Sequence, residues 1–173
     1  MRYFSVFASL LALAVAGCVA PSEPPPPPTP PSPPPPPLRP APLAADWRDW
    51  PLTAGTWRYE REARGTRAMF GTGSGDARLV LRCDLAARRL FLARAGAAVG
   101  ALTVRTSSTT RAVGVKPVGG PTPYVASEHE PRDPLLDAIA FSRGRFVIEQ
   151  AGAATLVVPV YAEIGRVIED CRG

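Results

Sequence analysis

Trp57-Arg58-Tyr59-Glu60-Arg61-Glu62 alternates bulky and charged side chains residue by residue. In an extended chain successive side chains point to opposite faces, so this stretch predicts a strand with one face on a core and the other in water. Working outward, comparable short patterns predict strands at 67–71, 78–83, 89–94 and 101–106, and two more at 145–150 and 155–158 around an Ala151-Gly152 turn. Two segments carry the helical period instead. Asp133-Pro134 supplies an N-cap and a proline at the first helical position, followed by Leu135, Leu136 and Ile139, with Gly144 as a stop. Near the end, Val160, Ile164, Val167, Ile168 and Cys171 form one apolar stripe. The expectation is a mainly β, α+β domain: an antiparallel β-sandwich or curved sheet with two short helices, the last packed on the sheet.

Upstream of this pattern no core can form. Residues 21–42 read PSEPPPPPTPPSPPPPPLRPAP, with unbroken proline pentamers at 24–28 and 33–37. Proline fixes φ near −65° and disfavours helix in the residue before it, so the run is driven into polyproline II, a rod reaching roughly 60 to 70 Å. Its P-x-x-P spacing also suits an aromatic docking groove, but a stand-off from a bilayer is the simpler use. Still earlier, one arginine precedes an apolar stretch from Phe4 to Ala16. That is the length of a secretory h-region and too short for a stable span. The organisation expected is a cleaved signal at 1–17, an anchor and spacer at 18–45, and one domain at 46–173.

Val15-Ala16-Gly17-Cys18 resembles the lipobox of bacterial lipoproteins. The resemblance implies that small residues at Ala16 and Gly17 admit the chain to a peptidase, and that the Cys18 thiol takes the diacylglyceryl group. It implies outer-membrane attachment facing the periplasm, since Val19 is not the aspartate tied to inner-membrane retention. The domain is also similar to uncharacterised alphaproteobacterial periplasmic lipoproteins over nearly its whole length. Through Leu79-Val80-Leu81-Arg82-Cys83, Thr103-Val104-Arg105 and the terminal Glu169-Asp170-Cys171-Arg172 it resembles the invasion-associated locus B and type VI secretion accessory lipoprotein families. None of these motifs transfers an activity. With Cys18 acylated, Cys83 and Cys171 are left to pair in an oxidising compartment. No C-x-x-C exists for redox exchange, and one histidine with scattered cysteines indicates no metal site or cofactor.

The whole chain carries a formal charge of +5, and Lys116 is the sole lysine. The arginines are spread along the chain instead of massed in one stripe, so nucleic acid is not an indicated partner. His129, in the polar run Glu128-His129-Glu130-Pro131-Arg132-Asp133, reads as a solvated loop histidine; a catalytic role would need a nucleophile and a pocket. Gly71-Thr72-Gly73-Ser74-Gly75-Asp76 reads as a hairpin loop, because the segment after it is a strand and not the helix that a phosphate loop requires. The most suggestive segment is 103–112. As one continuous strand it would put Arg105, Ser107, Thr109 and Arg111 on a single face, an anion-binding candidate that is otherwise an ordinary solvated face. A turn at Ser107-Ser108 would separate the arginines, but neither asparagine nor glycine is there to favour one.

The function expected is a non-enzymatic envelope binding or structural module, membrane-held through its lipid, that touches peptidoglycan, lipopolysaccharide or an envelope protein. The alternatives are an inhibitor of a periplasmic or host hydrolase and an enzyme whose pocket the sequence does not display. A basic domain is a poor electrostatic match for a cationic lysozyme.

Overall fold

A computed structural model describes residues 45–73, 77–98 and 100–173. Val15, Ala16, Gly17, Cys18 and the proline spacer lie outside the described residues, as do Ser74, Gly75 and Asp76 of the glycine-rich loop. The alternation at Trp57 becomes β1 (Thr56–Glu62), the edge of a six-stranded antiparallel sheet that continues through β2 (Gly65–Gly71), β3 (Leu79–Asp84) and β4 (Arg89–Ala95). The chain then leaves to form β5 (Leu102–Arg105) and β6 (Thr110–Val113) of a second sheet. It returns as β7 (Lys116–Val118) and β8 (Tyr124–His129), which complete the first in the order β1-β2-β3-β4-β8-β7. After α1 (Pro134–Ala140), β9 (Arg145–Glu149) and β10 (Leu156–Pro159) finish the second sheet as β10-β9-β5-β6, and α2 (Ala162–Arg172) closes the chain. The mainly β expectation holds: the described residues form two antiparallel sheets and two short helices, with the last helix on a sheet.

Register explains the burial. Trp57 pairs with Phe70 and Phe70 with Leu79, placing all three on the inner face of the first sheet. Their companions on that face include Leu81, Cys83, Leu90 and Leu92. Arg58, Glu60, Arg67 and Arg82 take the opposite parity and face out. There Arg67 bridges Glu60 and Glu62 at 2.7 Å each, and Arg82 meets Glu62 at 3.1 Å. The inner face of the second sheet contributes Leu102, Val104, Phe146, Ile148 and Val158 to the same core. Trp57 links the two sheets, its indole N–H donating to the Pro159 carbonyl at 2.8 Å. So does Arg94, a buried guanidinium that donates to the carbonyls of Ile148 and Ala154.

Both helices form in the segments that carry the helical period, although α1 stops at Ala140, short of Gly144. The Asp133 carboxylate accepts the Leu135 N–H, proline follows at once, and Leu135, Leu136 and Ile139 are buried. In α2 the buried residues are Ile164, Val167, Ile168 and Cys171, the expected stripe, while Val160 precedes the helix and packs partly buried against the core. This face lies across β1 to β4. Tyr59 fastens it from below by donating to Asp170 at 2.7 Å. The Cys83–Cys171 disulfide, with Cα atoms 5.6 Å apart, joins β3 to the last turn of α2 as expected. Gly65 makes room for this end of the core. Its φ of +151° suits glycine, and a side chain there would collide with the carbonyl oxygen of Cys83.

Two expectations fail at the strand level. Segment 103–112 is a hairpin, with Thr106 N–H donating to the Thr109 carbonyl at 2.8 Å across the turn. Glu128 and His129, read as the start of a polar loop, instead end an interior strand, Tyr124–His129, paired to β4.

Candidate functional site

The hairpin undoes the proposed arginine face. Thr110 stands opposite Arg105 and Val104 opposite Arg111, so the two arginines belong to opposite faces of the sheet. Arg105 meets Glu149 at 3.1 Å on the outer face. Arg111 forks onto the Asp133 carboxylate at 2.6 and 3.0 Å. Ser107 is committed as well: its N–H donates to Ser142 Oγ at 3.0 Å, and its hydroxyl accepts the Arg143 N–H at 3.1 Å. Thr109 donates its N–H to the Thr106 hydroxyl. The four residues expected to share one anion site are therefore not brought together, because the Thr106 side chain builds a turn in place of the missing asparagine or glycine.

His129, expected in solvent, is 4% exposed and faces inward on β8. Its Nε2 lies 2.9 Å from Ser127 Oγ and its Nδ1 lies 2.9 Å from Asp133 Oδ2. Ser127, His129 and Asp133 thus have the connectivity of a nucleophile, base and orienting acid. Chemistry by that route needs a serine open to substrate and donors for an oxyanion. Ser127 is 2% exposed, its hydroxyl also reaches toward the Leu92 carbonyl at 3.4 Å, and neither it nor His129 lines any of the four described cavities. The arrangement works as a buried clamp. Asp133 takes hydrogen bonds from Arg111, His129 and the Leu135 N–H. Burial pushes its carboxyl up, but those bonds outweigh burial and hold it at about 2. The signal for this strand was present in Val125, Ser127 and His129 alternating against Glu128 and Glu130, but two of its three inward residues are polar.

The clamp fixes the loop from Glu130 to Asp133, and that loop forms one wall of a cleft of about 390 Å³. The second wall is the β3–β4 turn carrying Arg88 and Arg89, and the third is Arg172 at the end of α2. In the turn, the Ala87 N–H donates to Asp84 Oδ1 at 3.1 Å. That bond, together with Arg64 and Arg82, holds the Asp84 carboxyl below its ordinary range. Arg88 then adopts φ +50°, the only non-glycine residue with positive φ among the described ones. Arg89 is engaged by Glu128 at 3.1 Å and Glu130 at 2.8 Å. Arg172 is engaged by Asp137 at 2.8 Å and Glu169 at 3.2 Å, and it donates to the Pro131 carbonyl at 3.0 Å. The side chains of Arg88 and Arg132 are exposed and make no ion pair or hydrogen bond among the described residues. Two of these arginines were findable from sequence: pairing Cys83 with Cys171 brings Arg172 to the end of β3, and a hairpin between the two strands expected at 78–83 and 89–94 brings Arg89 to the same end. Arg132 arrives through the fold of β8 and α1, which no local pattern announces.

Among the described residues no group of histidine, cysteine and carboxylate side chains could hold a metal ion, and no helix is long and apolar enough to cross a membrane. Comparisons with protein-family models, curated proteins and solved structures found no match, so the functional reading rests on this chain's own residues.

Proposed function

We propose that the protein is a lipoprotein anchored to the outer membrane through Cys18 and facing the periplasm, and that its domain is a non-enzymatic binding or structural module. The observation that carries this reading is the Cys83–Cys171 disulfide. Such bonds persist in oxidising compartments, and this one uses both cysteines of the domain, leaving Cys18 alone in its lipobox-like setting. The sealed Ser127–His129–Asp133 clamp supports a binding module over a hydrolase, since its serine is covered by the core it helps to organise.

The test is expression of the full chain in a Gram-negative host with labelled fatty acid. Wild type is expected as an acylated, processed protein in the outer-membrane fraction, and Cys18→Ser as an unlabelled precursor. Normal processing of that variant would overturn the anchor. In the same samples a fluorophosphonate probe is expected to leave Ser127 unmodified in native protein, and labelling at Ser127 would overturn the non-enzymatic reading.

A further inference from the structure

We infer that the cleft between Arg88 and Arg132 binds a phosphate monoester dianion. The inference rests on the binding-module reading above and gives that module a ligand class. Four guanidinium groups and one carboxylate, Glu130, line the cleft. Arg89 and Arg172 are already neutralised by Glu128, Glu130, Asp137 and Glu169. Arg88 and Arg132 make no such pair, so two unpaired guanidinium groups face one concave space.

A guanidinium presents a planar fork that matches two oxygens of one anion. Two forks from opposite walls need an acceptor with more than two oxygens, and each fork bonds more strongly to an oxygen that carries charge. A carboxylate has two oxygens and one charge and would leave one arginine unanswered. A phosphomonoester carries three terminal oxygens and about −1.5 to −2 charges at neutral pH. The cleft, at about 390 Å³, exceeds the phosphoryl group alone and leaves space for the organic part that bears it.

The walls are built in advance of any ligand. The disulfide fixes Arg172 beside the β3–β4 turn, where Cys171 Sγ lies 3.5 Å from the Arg89 carbonyl. The Arg172 bond to Pro131 draws in the opposite loop, and the His129–Asp133–Arg111 clamp holds that loop from beneath. Left-handed backbone at a residue with a side chain is unfavourable, and here it sits at one of the two free arginines. Walls fixed before binding spare the ligand the entropy of ordering them.

The ligand has two sources, a soluble phosphate compound or a lipid headgroup. The experiment is titration calorimetry of the full-length lipoprotein in neutral detergent micelles at low ionic strength. The probes are inorganic phosphate, short-chain phosphatidate and succinate. Wild type is expected to bind phosphate or phosphatidate and to bind succinate at least tenfold more weakly. Arg88→Gln and Arg132→Gln are each expected to weaken phosphoryl binding about ten- to hundredfold, the loss typical of one charge-assisted contact. Arg61→Gln, an exposed arginine on β1 outside the cleft, is expected to leave it unchanged. Binding of inorganic phosphate supports a soluble source, and binding of phosphatidate alone supports a headgroup. Equal weakening by Arg61→Gln, tighter binding of succinate, or heat from none of the three probes would overturn the inference. Acylation at Cys18 and the silence of Ser127 are read separately, so that failure does not touch the broader proposal.

Discussion

Asp133 does three jobs with one carboxylate. It caps α1 through the Leu135 N–H, receives the Arg111 fork, and holds the imidazole of His129. Each bond favours the ionised form, which is why the group sits at about 2 despite its burial. A depressed folded-state pKa contributes stability that is fully present above the unfolded value, near 4, and is lost as pH falls through about 2. The shift corresponds to about 2 kcal/mol. Asp133→Asn keeps the shape but cannot ionise. Urea unfolding is expected to show the variant about 2 kcal/mol less stable at pH 7, with the gap narrowing between pH 4 and pH 2. A gap as wide at pH 2 as at pH 7 would mean that shape, not charge, carries the effect.

At the scale of elements, what could be read from sequence depended on whether an element's inward positions were apolar. β1 and α2 carry Trp57 and Tyr59, or Ile164, Val167 and Ile168, at the right period, and both are where the period puts them. β8 spends two of three inward positions on Ser127 and His129, so its alternation looks like a hydrophilic loop although the strand is buried. The β5–β6 turn hid for another reason. Reading turns by residue type looks for asparagine or glycine, whereas this one is made by the Thr106 hydroxyl. That hydroxyl accepts the N–H groups of Thr109 at 3.0 Å and Ser108 at 3.3 Å and donates to the Thr109 carbonyl at 3.1 Å. Thr106 is 4% exposed, so water cannot easily replace these bonds. Thr106→Val preserves the branched shape and removes the oxygen. It is expected to cost about 1 to 3 kcal/mol in chemical denaturation. Thr110→Val, exposed on β6, is the control and is expected to change little. Equal stability of Thr106→Val and wild type would show that the backbone bond between Thr106 and Thr109 is enough to hold the turn.

For the whole molecule the disulfide decides how the last element is retained. Cys83 and Cys171 are 88 residues apart, so the bond closes a loop containing β4 to β10 and most of α2. Cross-linking a denatured chain over that span removes conformational freedom worth about 4 to 5 kcal/mol. In the folded state the consequence is local, since α2 covers β1 to β4 and carries Cys171 in its last turn. Without the bond, α2 keeps its apolar stripe and the Tyr59–Asp170 hydrogen bond, but its last turn is free to fray. Cys83→Ala together with Cys171→Ala is therefore expected to fold and to unfold about 4 to 5 kcal/mol more easily in urea. Amide exchange should accelerate first in the turns of α2 nearest Cys171, and phosphoryl binding should weaken because Arg172 is no longer held beside Arg89. The order of these effects distinguishes the cause. If exchange rises uniformly across both sheets while α2 stays protected, the bond acts on the denatured chain alone, and the arginine cleft should then bind as wild type does.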